Sequence, residues 1–303
     1  MPIIIIEKPS KNFLPQEIQP KYIILHCIGF IEEYALNLLT QTIEEGGGGV
    51  SAHYFIPQIE LSPLSAMSTY PVYRLVEDTK FARHAGKSQW QTDLDLNDQS
   101  IGIEFSSPNY ANALEGGALD WFHFEKFPPS QIMAGIELIK SLIEQYNIQP
   151  ENILCHSDIA PWRLNAEGDV ILGKTDPGAT FPWQMLAQHG IGVWPKTERK
   201  RTTPINLSIE SIQSLLLAVG YPLDQTGMKD LKTSHAIKAF QLHFLPKEVG
   251  TEPSASMVTF LENLIDKHYE YTPFLGGEEH NNRRSVSPQL FVNDRNYEIA
   301  GVL

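Results

Sequence analysis

The sequence predicts an α/β fold, a mixed or parallel central β-sheet flanked by helices, with a small C-terminal three-helix domain added to it. Two observations carry this. Up to about residue 193, short runs rich in isoleucine alternate with segments of helical spacing, the pattern of a sheet covered by helices. After residues 194–204, rich in proline, threonine and charge, only helical spacing recurs, in three short segments.

YIILHCI, at 22–28, reads as a buried strand. From 30 to 45, Ile31, Tyr34, Ala35, Leu38, Leu39 and Ile43 fall at helical spacing, and the glycines at 46–49 stop the helix. Those glycines lack the Lys-Ser/Thr of a phosphate-binding loop and read as a flexible connection. VSAHYFI, at 50–56, is the next strand. Residues 72–75 continue the sheet, and 81–90 is loop-like. IGIEF, at 101–105, alternates, placing Gly102 and Glu104 on the face opposite Ile101, Ile103 and Phe105. Ser130 is a candidate N-cap for a helix with a stripe of Ile132, Ile136, Ile139, Leu142 and Ile143, ending near Tyr146. Pro150 then introduces a strand over 152–156. In the C-terminal part, Ser208 caps a helix bearing Ile212, Leu216 and Val219 and stopped by Gly220. A second helix from about Ser234 carries Ile237, Phe240 and Phe244, and a third from about Ser254 carries Met257, Leu261 and Leu264.

Composition narrows the function classes. The 303 residues leave room for two domains, and 42% hydrophobic with 19% charged residues is ordinary globular composition. A net charge of −13 argues against nucleic acid as a partner and against docking on anionic lipid through charge. The local basic run at 196–201 reads as a solvated linker. MPIIIIEKPS is too short for the apolar core of a signal peptide, has no basic residue before it, and no stretch approaches the ~20 apolar residues of a membrane span.

The chemistry concentrates in ILCHSDIAPWR and the KTDPG that follows it. His156 closes an apolar run, as His26 does near the N-terminus, and Asp176 sits before Pro177. If the strands bearing the two histidines lie close, His26, His156 and Asp176 supply two nitrogens and one oxygen, a donor set for one catalytic Zn²⁺ with a fourth position open to water. Taken alone, each histidine is more often a satisfied buried residue than a ligand. Glu104 reads as a general base or as an edge-strand glutamate facing solvent, and Lys174 as an oxyanion stabiliser or a surface lysine. His53 and His84 line the cleft or are structural. Cys27 and Cys155, each beside one of these histidines, face away from the metal by strand alternation and read as small buried hydrophobes, with a disulfide between them left open.

YIILHCI, VSAHYFI, RHAGKSQW, SIGIEF and HSDIAPWR…KTDPGATFPW, in this order over about residues 21–186, resemble the zinc-dependent N-acetylmuramoyl-L-alanine amidases of the phage-lysozyme-type amidase and peptidoglycan-recognition-protein superfamily, most of all the AmpD and AmiD branch. The resemblance implies a peptidoglycan-recognition-protein-like sheet, zinc at His26, His156 and Asp176, Glu104 as catalytic acid/base and Lys174 at the oxyanion. The substrate-contacting set is read as His53, His84, Trp90, Asn109 and Arg163. This chain departs from the pattern at Trp162, where the family has glycine, and at an insertion over 164–173, expected as a protruding loop beside the cleft. Residues 207–269 resemble a three-helix peptidoglycan-binding module through AVGYPLDQTG and AIKAFQLHF.

The expected organisation is a catalytic domain over 1–193, a linker over 194–206, the helical module over 207–272 and an irregular tail over 273–303. The expected activity is hydrolysis of the amide between N-acetylmuramic acid, or its anhydro form, and L-alanine of the stem peptide. The alternatives are a muropeptide-recognition protein without catalysis and a zinc amidase for another peptide. The partners implied are peptidoglycan or muropeptide fragments. The extra module favours the cell envelope as the place of action; the lack of an export signal keeps the cytoplasm as the alternative.

Overall fold

Six strands form the central sheet: β1 (Ile3–Glu7), β3 (Tyr22–Ile28), β4 (Tyr54–Ile56), β5 (Tyr70–Arg74), β9 (Ser100–Ser106) and β10 (Ile153–Cys155), in the spatial order β1-β5-β4-β9-β3-β10. Four of the five pairings are parallel; only β4 and β5 run antiparallel, so the sheet is mixed. The computed structural model describes residues 2–59, 69–108, 127–195 and 204–268. Asn109, the tail from 269 and most of the expected linker lie outside these residues.

Strand β3 is buried along its whole length, and its alternation sets the layers. Ile23, Leu25 and Cys27 face one side, where Ile101, Ile103 and Phe105 of β9 meet Ile132, Ile136 and Ile139 of α2 (Pro129–Tyr146) and Trp183 and Leu186 of α4 (Trp183–Gln188). Tyr22 and Ile24 face the other side and join one apolar cluster with the C-terminal helices α5 (Ile209–Val219), α6 (Leu231–Phe244) and α7 (Ala255–His268), through Ile212, Leu216, Phe240 and Leu261. The helical part therefore covers one face of the sheet. His26, in phase with Tyr22 and Ile24, shares that face.

Several elements differ from their sequence reading. Residues 30–45 split into α1 (Glu32–Thr40) and a 3-10 turn (Ile43–Glu45). Helix α2 begins at Pro129 after Pro128, without a side-chain cap, so Ser130 lies inside its first turn; the fixed φ of proline suits that start. His156 opens the one-turn helix α3 (His156–Ile159) after β10 instead of ending a strand. Helix α6 starts at Leu231, three residues before the expected Ser234, and is capped by Asp230, its carboxylate accepting from the Thr233 N–H at 2.8 Å. Ser208 caps α5 as expected. The inserted residues form a hairpin, β11 (Trp162–Leu164) with β12 (Val170–Leu172), and only its tip stands free. Its base is tied down by Trp162, buried with its indole N–H donating to the Pro222 carbonyl at 2.6 Å. The N-terminal isoleucines form edge strand β1, and β2 (Phe13–Glu17) pairs with β6 (Lys80–Ala82).

Candidate functional site

The carboxyl ends of β3, β9 and β10 lie side by side, the position where open α/β sheets bind ligands. His26 and Glu104 are direct register partners there, and His156 follows β10 at once. Asp176 comes from the loop after the hairpin, whose return is fixed to α3: the Ser157 N–H donates to the Asp176 carbonyl at 3.2 Å and the Lys174 N–H to that of Ala160 at 2.8 Å. Three donor atoms converge. His26 Nδ1 lies 3.0 Å from His156 Nδ1, and Asp176 Oδ2 lies 3.4 and 3.2 Å from them.

The hydrogen-bond network assigns the protons. Ser100 Oγ donates to the Leu96 carbonyl at 2.6 Å, so its lone pair receives the His84 Nε2–H at 3.2 Å. His84 Nδ1 is then an acceptor and takes the His26 Nε2–H at 3.0 Å. His156 Nε2–H donates to the Ala85 carbonyl at 3.3 Å. Both remaining Nδ1 atoms carry lone pairs, facing each other and a carboxylate oxygen. Three converging lone pairs in a buried site repel unless a cation lies among them, and this group could hold one metal ion.

Burial first, then the neighbouring His156, pulls the His26 pKa down to about 4, so the ring is neutral at pH 7. Burial alone would raise Asp176, but the charge of a protonated His156 and hydrogen bonds donated by His156 and His26 outweigh it and hold the carboxyl well below its usual range; a cation bound among the three donors would take the place of those protons. Glu104 goes the other way: burial, reinforced by the charge of Asp176, raises it well above an ordinary carboxyl, and its Oε2 is buried without a hydrogen-bond partner among the described residues. Lys174, close enough to influence Glu104, is partly exposed, and its desolvated surroundings lower its pKa.

The expected substrate contacts fare differently. Arg163 is exposed on β11 and acts electrostatically on Lys174, which places it near the site. His53, His84 and Trp90 are buried, at 0%, 8% and 1% exposure, so their contacts are internal. His53 Nδ1 accepts from the Gly102 N–H at 3.0 Å and its Nε2–H donates to the Lys80 carbonyl at 2.9 Å, closing the approach of β4 to β9. His84 stands behind His26. Trp90, in the short ribbon β7 (Gln89–Trp90) with β8 (Asp93–Leu94), packs edge-on against Tyr221 at 5.1 Å. Sequence reading passed over Ser100 and Ala85, which orient the two histidines. The available signal was Gly102, an interior strand glycine: a Cβ there would come 2.4 Å from the His84 ring.

Fold and site together define a class: an α/β protein whose mixed sheet carries, at its strand ends, a buried metal-type triad beside a coupled glutamate and lysine. A family model described as N-acetylmuramoyl-L-alanine amidase matches residues 16–179. The N-acetylmuramoyl-L-alanine amidase AmiD of Escherichia coli is 34% identical over 256 residues, covering 82% of this chain and 83% of that one. The solved complex of that amidase with anhydro-N-acetylmuramic acid-L-Ala-D-gamma-Glu-L-Lys superposes with a TM-score of 0.65 at 32% identity, over 84% of this chain and 91% of the other. AmpDh3 of Pseudomonas aeruginosa superposes with a TM-score of 0.64 at 27% identity, over 84% and 94%. The chain belongs to the N-acetylmuramoyl-L-alanine amidase family.

Proposed function

We propose that this chain is a zinc hydrolase that cleaves the amide between the lactyl group of N-acetylmuramic acid, or its anhydro form, and the L-alanine of the stem peptide. The convergence of His26 Nδ1, His156 Nδ1 and Asp176 Oδ2 carries the reading, with edges of 3.0, 3.2 and 3.4 Å. A tetrahedral zinc with bonds of about 2.0–2.1 Å sets its ligands about 3.3 Å apart, so the donors fit one Zn²⁺ in size as well as in chemistry. Zinc held there supplies Lewis acidity, polarising the scissile carbonyl and lowering the pKa of water to about 7.

The remaining work falls to the protein. Glu104, its carboxyl raised by burial, takes a proton from the attacking water and returns it to the leaving amine of L-alanine. The Lys174 ammonium balances the negative charge on the tetrahedral carbonyl oxygen. Arg163, exposed beside Lys174, offers a cation to a carboxylate of the stem peptide, and Asn109 remains a candidate contact. The helical module is a candidate peptidoglycan-binding surface, and the cell envelope is the favoured place of action. Among the described residues, no helix is long and apolar enough to cross a membrane.

Mass spectrometry of a defined anhydro-muramoyl tripeptide tests this. Free tripeptide should accumulate, stop on chelation and resume with Zn²⁺, while Glu104→Gln should bind zinc and turn over about 10²–10⁴-fold more slowly. Intact substrate in the presence of the zinc-loaded chain would turn the assignment towards a muropeptide-recognition protein.

A further inference from the structure

Asp158 is completely buried, two residues after His156. A carboxylate in such a place is tolerated only when its oxygens are satisfied, and here they are. One donor is local: the Cys155 N–H reaches Oδ2 at 3.0 Å and closes a capping box at the start of α3. The other two come from the helical module. Tyr221 O–H donates to Oδ1 at 2.6 Å across 63 residues, and His243 Nδ1–H donates to Oδ2 at 2.7 Å across 85 residues.

The turn gripped in this way begins with His156, and its Ser157 N–H holds the carbonyl of Asp176. One short element thus places two of the three donor groups, and its carboxylate is held by residues from a different part of the chain. The docking around it is continuous. The Gln91 N–H donates to the Gly220 carbonyl at 2.9 Å, the Trp162 indole N–H to the Pro222 carbonyl at 2.6 Å, and Tyr221 lies against Trp90 between them. Gly220 has φ +133°, and a Cβ there would stand 2.7 Å from Trp90. Gly-Tyr-Pro, the segment that in sequence resembles a peptidoglycan-binding signature, is here spent on contact with the catalytic body.

We propose that Tyr221 and His243 are positioning residues for the metal site, acting through Asp158 to hold the turn that presents His156 and anchors Asp176. This rests on the zinc reading above. The helical module is then a structural part of the metal centre as well as a cover for the sheet. Cys155, Asp158 and His243 also offer donor atoms within 4.8 Å of one another. Each is already engaged by hydrogen bonds inside the protein, including Cys155 Sγ with Ser157 Oγ at 3.1 Å, which favours a clamp over a second metal.

The test uses the full chain with Tyr221→Phe, His243→Leu and His243→Asn. Zinc affinity is measured by competition with a chromophoric chelator, ligand geometry by the visible spectrum of the cobalt(II) form, and stability by denaturant unfolding without metal. Tyr221→Phe and His243→Leu should each weaken zinc binding about ten- to hundredfold and alter the cobalt spectrum. His243→Asn, which keeps an N–H directed at Asp158, should stay close to wild type. Unchanged affinity and spectrum in both weakened variants, with only stability reduced, would overturn the proposal and leave the zinc reading intact. Two zinc ions per wild-type chain, one of them lost in His243→Leu, would overturn it in favour of a second site. A wild-type chain that takes up no zinc would remove the metal reading and the clamp with it. Should His243→Leu fail to fold, Tyr221→Phe decides alone, since it removes one oxygen and leaves the ring on Trp90.

Discussion

Two carboxylates share the buried face at the strand ends, and their surroundings drive them apart. Asp176, flanked by two imidazoles, stays ionised, while Glu104, flanked by that negative charge and by apolar surroundings, is the more basic of the two. Histidines divide in the same way. His26 is neutral in order to present a lone pair, and His53 is neutral because it replaces a backbone partner in the sheet. Burial pulls the His53 pKa down to about 4, whereas in an unfolded chain it lies near 6.5. Between those values the unfolded chain binds a proton that the folded chain refuses, so stability rises with pH across this window. The contribution is complete above about pH 6.5 and is lost as pH falls towards 4, up to roughly 3 kcal/mol. His53→Asn keeps an acceptor for the Gly102 N–H and removes the titration. Denaturant unfolding of the metal-free chain should show a shallower loss of stability from pH 7 to 4.5 in this variant; equal slopes would exonerate His53.

Among the elements, β9 bears the tightest constraint. Its Gly102 leaves room for the His84 ring, which in turn directs His26. Gly102→Ala must displace that ring, and an overpacked site of this kind costs about 1–3 kcal/mol, readable as a lowered midpoint in denaturant unfolding. The central elements were legible in the sequence because local pattern determines them: YIILHCI and IGIEF are buried on both faces, and the stripe from Ile132 to Ile143 admits only a helix. The triad was legible as residue types at plausible strand ends. Less could be read where the deciding partner is remote. Four isoleucines in a row suit an edge strand or a core, and only β5 chooses for β1. Trp90 and His84 look like cleft residues in a polar loop. Tyr221 buries the first, and the lone pair needed at His26 accounts for the second. The inserted hairpin reads as a loop until Pro222 offers its carbonyl to Trp162.

At the scale of the molecule, the C-terminal helices and the sheet behave as one body. Tyr22, Ile24 and Leu154 share a cluster with Ile212, Phe240 and Leu261, and Leu242 and Val249 reach the cluster on the other side of the sheet. Detaching the helices would expose this apolar face and strand the Asp158 carboxylate without two of its donors. Calorimetry of the metal-free protein should therefore show a single cooperative transition, and two resolved transitions would show the module to be independently stable. Side chains from before and after residues 194–206, where the composition changes, meet in one apolar cluster.

Cys27 follows His26 and Cys155 precedes His156, and both thiols are free, buried and raised in pKa, chiefly by desolvation. A thiolate is the reactive form, so an alkylating reagent meets neither while the strands stay closed. Each histidine-bearing segment consequently carries a silent chemical clock one residue from its imidazole. The rate at which mass is added at either cysteine counts the openings of that segment, with no residue replaced.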